Sequence, residues 1–303
     1  MAAISRANEL KQLLPGLNAL FGDEYNNYEN EHEQIYVTEN SERSFEEELK
    51  LSGFAAAPVK DEGASISFDT AQESFVARYT HETIALGFSV TEEAMEDNLY
   101  DSLSARYTKA LARAMAYTKQ VKAAYPLNKG FGDFDSGDGV DLFSTSHPLV
   151  SGGTNSNTPS TQADLNETSL EAAVIQIAGW TDERGLLIAA KPTKLIIPPN
   201  LMFVAQRILQ SDLRVGTADN DINAIKSMGV VPGGYAVNHY LTDTDAWFIL
   251  TDLITSGLTM FQRRPLKTSM EPDFESGNMR FKASERYSFG WSDWRAIFGS
   301  PGA

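Results

Sequence analysis

Residues 91–125, TEEAMEDNLYDSLSARYTKALARAMAYTKQVKAAY, carry the strongest pattern in the chain. Apolar or aromatic side chains recur alternately four and three positions apart, the spacing of an amphipathic helix. Thr91 can cap this helix and Pro126 can stop it, which predicts a helix about 50 Å long. The stripe has more Ala and Tyr than Leu or Ile, so we expect it to lie across a sheet rather than in a coiled coil. Its members are Leu99, Leu103, Tyr107, Ala110, Ala114, Tyr117 and Val121.

Upstream of this helix, residues 54–90 alternate apolar and polar side chains with a period of two. Turn-forming residues at 60–63 and 69–72 interrupt the alternation, which predicts a long β-hairpin or meander. A hairpin that nothing covers is only marginally stable, so its apolar face needs a partner. The alternating apolar residues are Ile66, Phe68, Phe75, Ala77, Tyr79, Ile84, Leu86, Phe88 and Val90.

The first 45 residues do not form a self-contained unit. Leu13, Leu17 and Phe21 lie on one face of a short predicted helix, and residues 23–48 are rich in Glu and Asn. Burial of their few apolar groups would not offset the entropy of ordering the segment. The segment is either a disordered tail or an arm that becomes ordered on a neighbouring copy, and we favour the arm.

The C-terminal half alternates helices and strands. A capping box at Thr168 starts a helix that runs to about Trp180, and residues 194–197 form a buried strand that precedes another helix. Residues 246–250 are predicted as a central strand, and period-two alternation returns in residues 279–291 as two long closing strands.

Residues 128–166 form a long polar loop that contains two candidate sites. Asp133 to Asp138 resembles the start of a calcium loop, but Gly137 and Ser144 stand where Asp or Asn and then Glu are needed, so we interpret it as an acidic turn. His147 follows two serines but lacks the Gly-x-Ser-x-Gly turn of a serine nucleophile, which argues against a catalytic base.

Composition narrows the classes of function. The 303 residues have a net charge of −16, which disfavours the phosphate neutralisation that nucleic-acid binding needs. The absence of Cys excludes disulfides, Cys-ligated zinc and thiol nucleophiles. Neither a membrane span nor a secretory signal is predicted. Known catalytic, metal-binding and cofactor-binding motifs are also missing, so we expect neither an enzyme nor a cofactor.

The order of elements, together with four local stretches, resembles the major capsid proteins of tailed bacteriophages, which have the Hong Kong 97-type fold, and in particular the Mu-like major head subunit family. The resemblance covers essentially the whole chain. The stretches are residues 110–115 (ALARAM), 143–149 (FSTSHPL), 194–201 (KLIIPPNL) and 287–295 (YSFGWSDWR).

This resemblance implies an α+β fold with four parts. They are an N-terminal arm (1–45), an extended β-hairpin loop (46–90), a peripheral domain (91–168 and 262–303) with a spine helix at 91–125, and an axial domain (169–261). Copies would assemble into pentamers and hexamers of an icosahedral shell around double-stranded DNA, without sequence-specific binding. Partners would include a separate scaffold protein and a portal, with or without cementing proteins. The protein would be located in the virion after assembly in the bacterial host cytoplasm.

On this interpretation the arm, the hairpin and the basic doublet 263–264 are candidate contacts between subunits. They are Leu13, Leu17, Phe21, Ile66, Phe68, Phe75, Tyr79, Arg263 and Arg264. One alternative has the same fold, a nanocompartment shell around an enzyme cargo. Another belongs to a different class, a soluble α/β enzyme such as a glycosidase with two carboxylates.

Overall fold

The computed structural model describes residues 7–63, 65–91, 93–94, 100–214 and 221–303, with the backbone alone at 7–15 and 100–103. Leu99 therefore lies outside the described residues, as do the side chains of Leu13 and Leu103. The helices are α1 (Ala7–Asn26), α2 (Tyr100–Lys129), α3 (Glu167–Ala178), α4 (Met202–Gln210) and α5 (Ala224–Met228).

The strands include several short ones. They are β1 (Val37–Asn40), β2 (Phe45–Leu51), β3 (Glu73–Thr80), β4 (Glu82–Val90), β5 (His147–Pro148), β6 (Thr154–Asn155), β7 (Pro192–Ile197), β8 (Tyr235–Val237), β9 (Trp247–Thr251), β10 (Leu258–Pro272), β11 (Met279–Trp291) and β12 (Ile297–Ser300). One four-stranded sheet has the order β1-β10-β11-β4, and a second has the order β12-β9-β7-β8. The fold is α+β, as predicted.

The second sheet confirms most of the sequence prediction for its region. Strands β7 and β9 form where predicted, and β9 is central and fully buried. Helix α3 is capped by Asn166 rather than Thr168. The Asn166 side chain accepts the Ser169 backbone N–H, and the Ser169 hydroxyl oxygen accepts the Asn166 backbone N–H. The period-two pattern of residues 279–291 forms one long strand, β11, instead of two.

Helix α2 packs on the first sheet, but through the face opposite to the predicted one. Leu111, Ala112 and Met115 contact Phe281 and Ala283 of β11. The stripe from Tyr107 to Val121 is largely exposed instead. The prediction of the sheet-facing side was therefore wrong.

The buried side of α2 escaped detection because it is partly polar. Gln120 accepts the backbone N–H of His32 at 3.1 Å, and its amide lies 2.9 Å from the His32 ring. Burial, with a further effect of the Lys119 charge, lowers the pKa of His32 to about 4, so the ring stays neutral. Lys119 reaches the buried carboxylate of Glu285 at 3.6 Å, and burial raises the pKa of that carboxyl despite the lysine. A hydrophobicity pattern cannot identify such a face.

Pro126 does not end α2, which runs on to Lys129. A proline inside a helix removes one backbone hydrogen bond. The following residue, Leu127, is buried in the main core, and that burial offsets the lost bond.

Helix α1 packs against its own chain. Leu17 and Phe21 are buried in the same cluster as Leu111 and Met115, and the Phe21 ring lies 6.4 Å from that of Phe281. Farther along, Ile35 and Tyr36 enter the main core, where the Tyr36 hydroxyl donates to the Ala123 carbonyl at 2.8 Å. The expectation that this segment lacks cover within the chain was wrong, because its described apolar residues Leu17, Phe21, Ile35 and Tyr36 are buried against the rest of the subunit.

Two short strands cross the predicted domain boundaries. Strand β1, assigned to the arm, pairs in parallel with β10. Strand β12, assigned to the peripheral domain, pairs with β9 in the sheet of the predicted axial domain. The rest of the fourfold division stays a prediction.

The packing of α1 can be tested by Phe21→Ala. Phe21 is 1% exposed, so the free energy of unfolding should fall by about 3 kcal/mol, the usual cost of emptying a buried aromatic site. Urea denaturation of the purified subunit measures it. Leu49→Ala, on an exposed strand face, is the control and should cost less than about 1 kcal/mol. Equal effects of the two substitutions would contradict the packing.

Candidate functional site

Within the predicted extended loop (46–90), β2 and β3 form a two-stranded antiparallel hairpin joined by residues 52–72, and we keep the name extended loop for residues 45–80. Of the alternating segment predicted as the hairpin, only β3 belongs to it: its partner β2 lies upstream of that segment, and β4 pairs with β11 in the first sheet instead. Residues 65–69 form no strand, contrary to the alternation of Ile66 and Phe68. Alternation produces a stable strand only where a neighbouring strand and a packed face are available, and here neither is present within the chain.

The root of the extended loop is fixed by close packing. Tyr79 is buried, and its ring meets Phe261 of β10 edge-on at 4.8 Å. Two glycines make room for β3: a Cβ at Gly290 would lie 2.6 Å from the Tyr79 ring, and a Cβ at Gly137 would lie 2.3 Å from the Val76 carbonyl oxygen. The Gly137 backbone therefore lies directly against the backbone of β3, and Gly290 leaves space for the Tyr79 ring.

A charged cluster ties β2 to the body. The Lys50 ammonium lies 2.7 Å from Asp293 and 3.1 Å from Glu183. The Arg295 guanidinium contacts the same two carboxylates at 3.2 and 2.9 Å. Burial would raise the pKa of Asp293, but the charges of Lys50 and Arg295 outweigh it and hold that pKa below its usual range. Two cations thus face two anions in a largely buried site.

An ion pair between Arg184 and Asp69 attaches the connection 52–72 to the body. Arg184 donates to both carboxylate oxygens of Asp69, at 3.1 and 3.0 Å. The same carboxylate accepts the backbone N–H groups of Ala55 and Thr70, which hold its pKa below the usual range, and Arg184 adds to the effect. Residues 53–63 and 65–72 are open to solvent, whereas Ser52 is buried.

Large apolar side chains of the connection have no cover. Ile66 is 68% exposed and Phe68 is 93% exposed, and Phe54 and Val59 are also exposed. The outer face of the hairpin adds Leu49 and Val76, which pair across the strands. Contiguous exposed apolar groups of this kind mark surfaces that bind another protein.

The structure does not bring all nine candidate contact residues together. Leu17, Phe21 and Tyr79 are buried in the chain itself, so they offer little surface to a neighbour, and their assignment as contacts between subunits is corrected. Phe75 and Arg263 are half-buried, and Arg264 is exposed and donates to Ser284. Ile66, Phe68, Phe75, Arg263 and Arg264 stay predictions, as does Leu13.

Sequence reasoning missed the residues that position the loop. Lys50, Arg184 and Asp293 are ordinary charged residues in the sequence, and Asp69 and Arg184 are separated by 115 positions. Only the fold brings them together, so no local pattern could have identified them.

The two candidate sites of the polar loop are structural. Asp138 accepts from the His147 ring at 2.7 Å, and the other ring nitrogen lies 3.1 Å from Asn157. The ring is fully buried and stacks on Trp294 at 4.8 Å. Both ring nitrogens are therefore engaged, and His147 anchors the loop to the core. Within the described part of the chain, no three His, Asp or Glu residues are arranged to hold a metal ion.

A membrane-spanning helix is also not found: none of the described helices is long and apolar enough.

Comparison with known proteins places this geometry in a family. A model of the family described as phage capsid protein matches residues 75–299. The chain belongs to this family. A search of curated protein sequences finds no significant match to the capsid protein.

Solved structures with the same fold include several capsids. The capsid of the native GTA particle is 15% identical, with a TM-score of 0.57 and 91% of each chain covered. The capsid of the cyanophage P-SCSP1u is 11% identical, with a TM-score of 0.58 and coverage of 89% of this chain and 86% of that one. The capsid of the Myoviridae phage XM1 is 13% identical, with a TM-score of 0.54 and coverage of 89% and 90%. The Hong Kong 97-type capsid fold is thus confirmed, and the protein is a structural capsid subunit rather than an enzyme.

Loss of the Arg184 contact should loosen the connection of the capsid protein without unfolding it. In Arg184→Ala, we expect amide hydrogen exchange in residues 52–72 to accelerate about threefold to fivefold, since an ion pair at the surface contributes only modestly to local stability. Arg280→Ala, which breaks an ion pair with Asp273 elsewhere, is the matched control and should leave these amides unchanged. Unchanged exchange in Arg184→Ala would show that the ion pair does not hold the connection.

Acid should weaken the charged cluster. The folded pKa of Asp293 lies below the unfolded value of about 3.9, so its stabilisation is complete above pH 4 and is lost as the pH falls through the folded pKa. Asp293→Asn should cost about 3 kcal/mol at pH 7 and flatten the fall in the free energy of unfolding below pH 4. Urea denaturation between pH 3 and 7 tests both effects. The exposed Asp61→Asn should preserve the wild-type profile.

Proposed function

We propose that the capsid protein forms the pentamers and hexamers of an icosahedral phage shell, and that residues 52–72 of each subunit bind the adjacent subunit. The exposed apolar side chains of Ile66 and Phe68 carry this proposal. A stable subunit gains nothing from leaving them in water, whereas obligate interfaces bury such groups over more than roughly 2,000 Å². The body holds the loop in position, which lowers the entropy cost of binding.

The shell would enclose double-stranded DNA without sequence-specific contacts. A net charge of −16 supports this, because an acidic subunit repels the phosphate backbone instead of binding it. Assembly in the host cytoplasm with a separate scaffold and a portal, and membership of the Mu-like subfamily, remain part of the proposal.

The roles of the four parts follow the same proposal. The extended loop and the sheet of β1, β10, β11 and β4 would form the periphery of each capsomer, and the sheet of β12, β9, β7 and β8 would point toward its symmetry axis. Strand β4 lies at one edge of the first sheet, where β11 is its one partner among the described strands. An edge strand of this kind can pair with another chain, which supports contacts between subunits along β4.

Assembly of the double variant Ile66→Ser, Phe68→Ser tests the role of the connection. We expect the critical concentration for shell formation to rise at least tenfold, since each buried side chain of this size contributes about 1.5 to 3 kcal/mol. Negative-stain electron microscopy and light scattering over a concentration series measure this change. The subunit should keep its melting temperature, because neither residue packs within the chain.

The conservative variant Ile66→Val, Phe68→Leu is the matched control and should still form shells. Unchanged assembly of the Ser variant would remove the connection from the interface. The ratio of absorbance at 260 and 280 nm of the shells then separates the two functions of the same fold: enclosed DNA supports a phage head, whereas a protein cargo without nucleic acid supports a nanocompartment.

A further inference from the structure

The outward face of α2 is an unusual surface. Tyr107, Tyr117, Val121 and Tyr125 lie along it, and each is between 39% and 59% exposed. Ala110 and Ala114 complete the four-and-three spacing between them. We call these six residues the tyrosine stripe, which extends for about 27 Å at the helical rise per residue.

The three tyrosines are held in place by the body. Phe88 of β4 contacts the Tyr107 ring at 5.7 Å, Tyr240 contacts Tyr117 at 5.8 Å, and Phe134 contacts Tyr125 at 5.8 Å. One side of each ring is therefore packed and another faces solvent. A partner would meet aromatic groups that have already lost most of their freedom, so little ordering entropy opposes binding.

Helix α2 carries a net positive charge, whereas the whole chain carries a net negative charge. Between residues 100 and 129 the helix has one acidic residue and six basic ones, although the chain as a whole carries −16. Four of the lysines are paired: Lys109 with Glu24, Lys119 with Glu285, Lys122 with Glu82 and Lys129 with Asp133.

The other two basic residues of α2, Arg106 and Arg113, lie beside the tyrosine stripe. Both are exposed, and no carboxylate of the described residues lies within 4 Å of either. They are seven positions apart, so they flank the same side of the stripe.

The side chains of the tyrosine stripe and its two arginines indicate which class of partner can bind it. Apolar groups in a four-and-three spacing, with small alanines between aromatic rings, suit the apolar seam of a second helix. A second copy of α2 would bring its own Arg106 and Arg113 to a face already flanked by arginines, which is unfavourable. DNA would gain only two unpaired cations on a strongly acidic protein. We propose that the tyrosine stripe binds an acidic amphipathic helix of another protein, with its carboxylates on Arg106 and Arg113.

This proposal is independent of the shell geometry proposed above, and peptides of designed charge test it. Two 21-residue helical peptides would have Leu in the same four-and-three spacing, one with Glu and the other with Lys at the flanking positions. Fluorescence anisotropy measures their binding to the unassembled full-length subunit. We expect the Glu peptide to bind at least about tenfold more tightly than the Lys peptide, with an affinity that falls as salt rises.

Two variants locate the contact. Tyr117→Ser with Val121→Ser should abolish binding of the Glu peptide, and Arg106→Glu with Arg113→Glu should reverse the preference between the peptides. A reversal cannot arise from damage to the fold, so the arginine variant decides the matter even if the stripe variant is unstable. Ile175→Ser, at an exposed site on α3, is the control and should bind like the wild type.

Several results would overturn the proposal. Equal affinity for both peptides, or no binding of either, would remove the acidic helix. Binding of a 20-base-pair DNA duplex that depends on the two arginines would assign the face to nucleic acid. Loss of association between subunits in the stripe variant, seen by sedimentation velocity, would assign it to a second copy. If the wild-type subunit binds the Glu peptide tightly but forms no shells, the acidic-helix proposal stands and the proposed shell function fails.

Discussion

The contact of Arg295 with Glu183 and Asp293 is the interaction on which the arrangement of the subunit depends most. It joins the end of the β11 region to the segment after α3, and Lys50 brings the extended loop into the same cluster. Arg295 is almost completely buried, so removal of either carboxylate would leave two cations facing a single anion, at a cost of about 3 to 5 kcal/mol. Three distant parts of the chain therefore have one relative position, and the loop has one orientation from which to reach a neighbour.

The helix α2 illustrates what a periodic pattern can and cannot predict. Its existence and its position next to a sheet follow from the four-and-three spacing, because that spacing requires a helix with two unlike faces. The choice between those faces does not follow. The face toward the sheet includes Thr108, Lys119 and Gln120, and these are buried by partners from α1, the following segment and β11 that the local sequence does not contain.

A similar limit applies to the candidate contact surface. The alternation at Ile66 and Phe68 correctly indicates apolar residues that need a partner, but it wrongly predicts a strand, since pairing depends on a neighbour across space. The order of elements predicts the capsid fold better than any single motif does. In contrast, the contacts of Asp69 and Lys50 with the body lie outside what sequence patterns can reveal, because their partners are more than a hundred positions away.

Gly137 and Gly290 have a mechanical consequence. Because neither glycine has a side chain, the body lies directly against the Val76 backbone and the Tyr79 ring at the base of the extended loop, where any added Cβ would collide. The far end, in contrast, is restrained by the ion pair of Arg184, which dissolved salt weakens. Rising ionic strength should therefore release the connection 52–72 before it affects the packing at the two glycines.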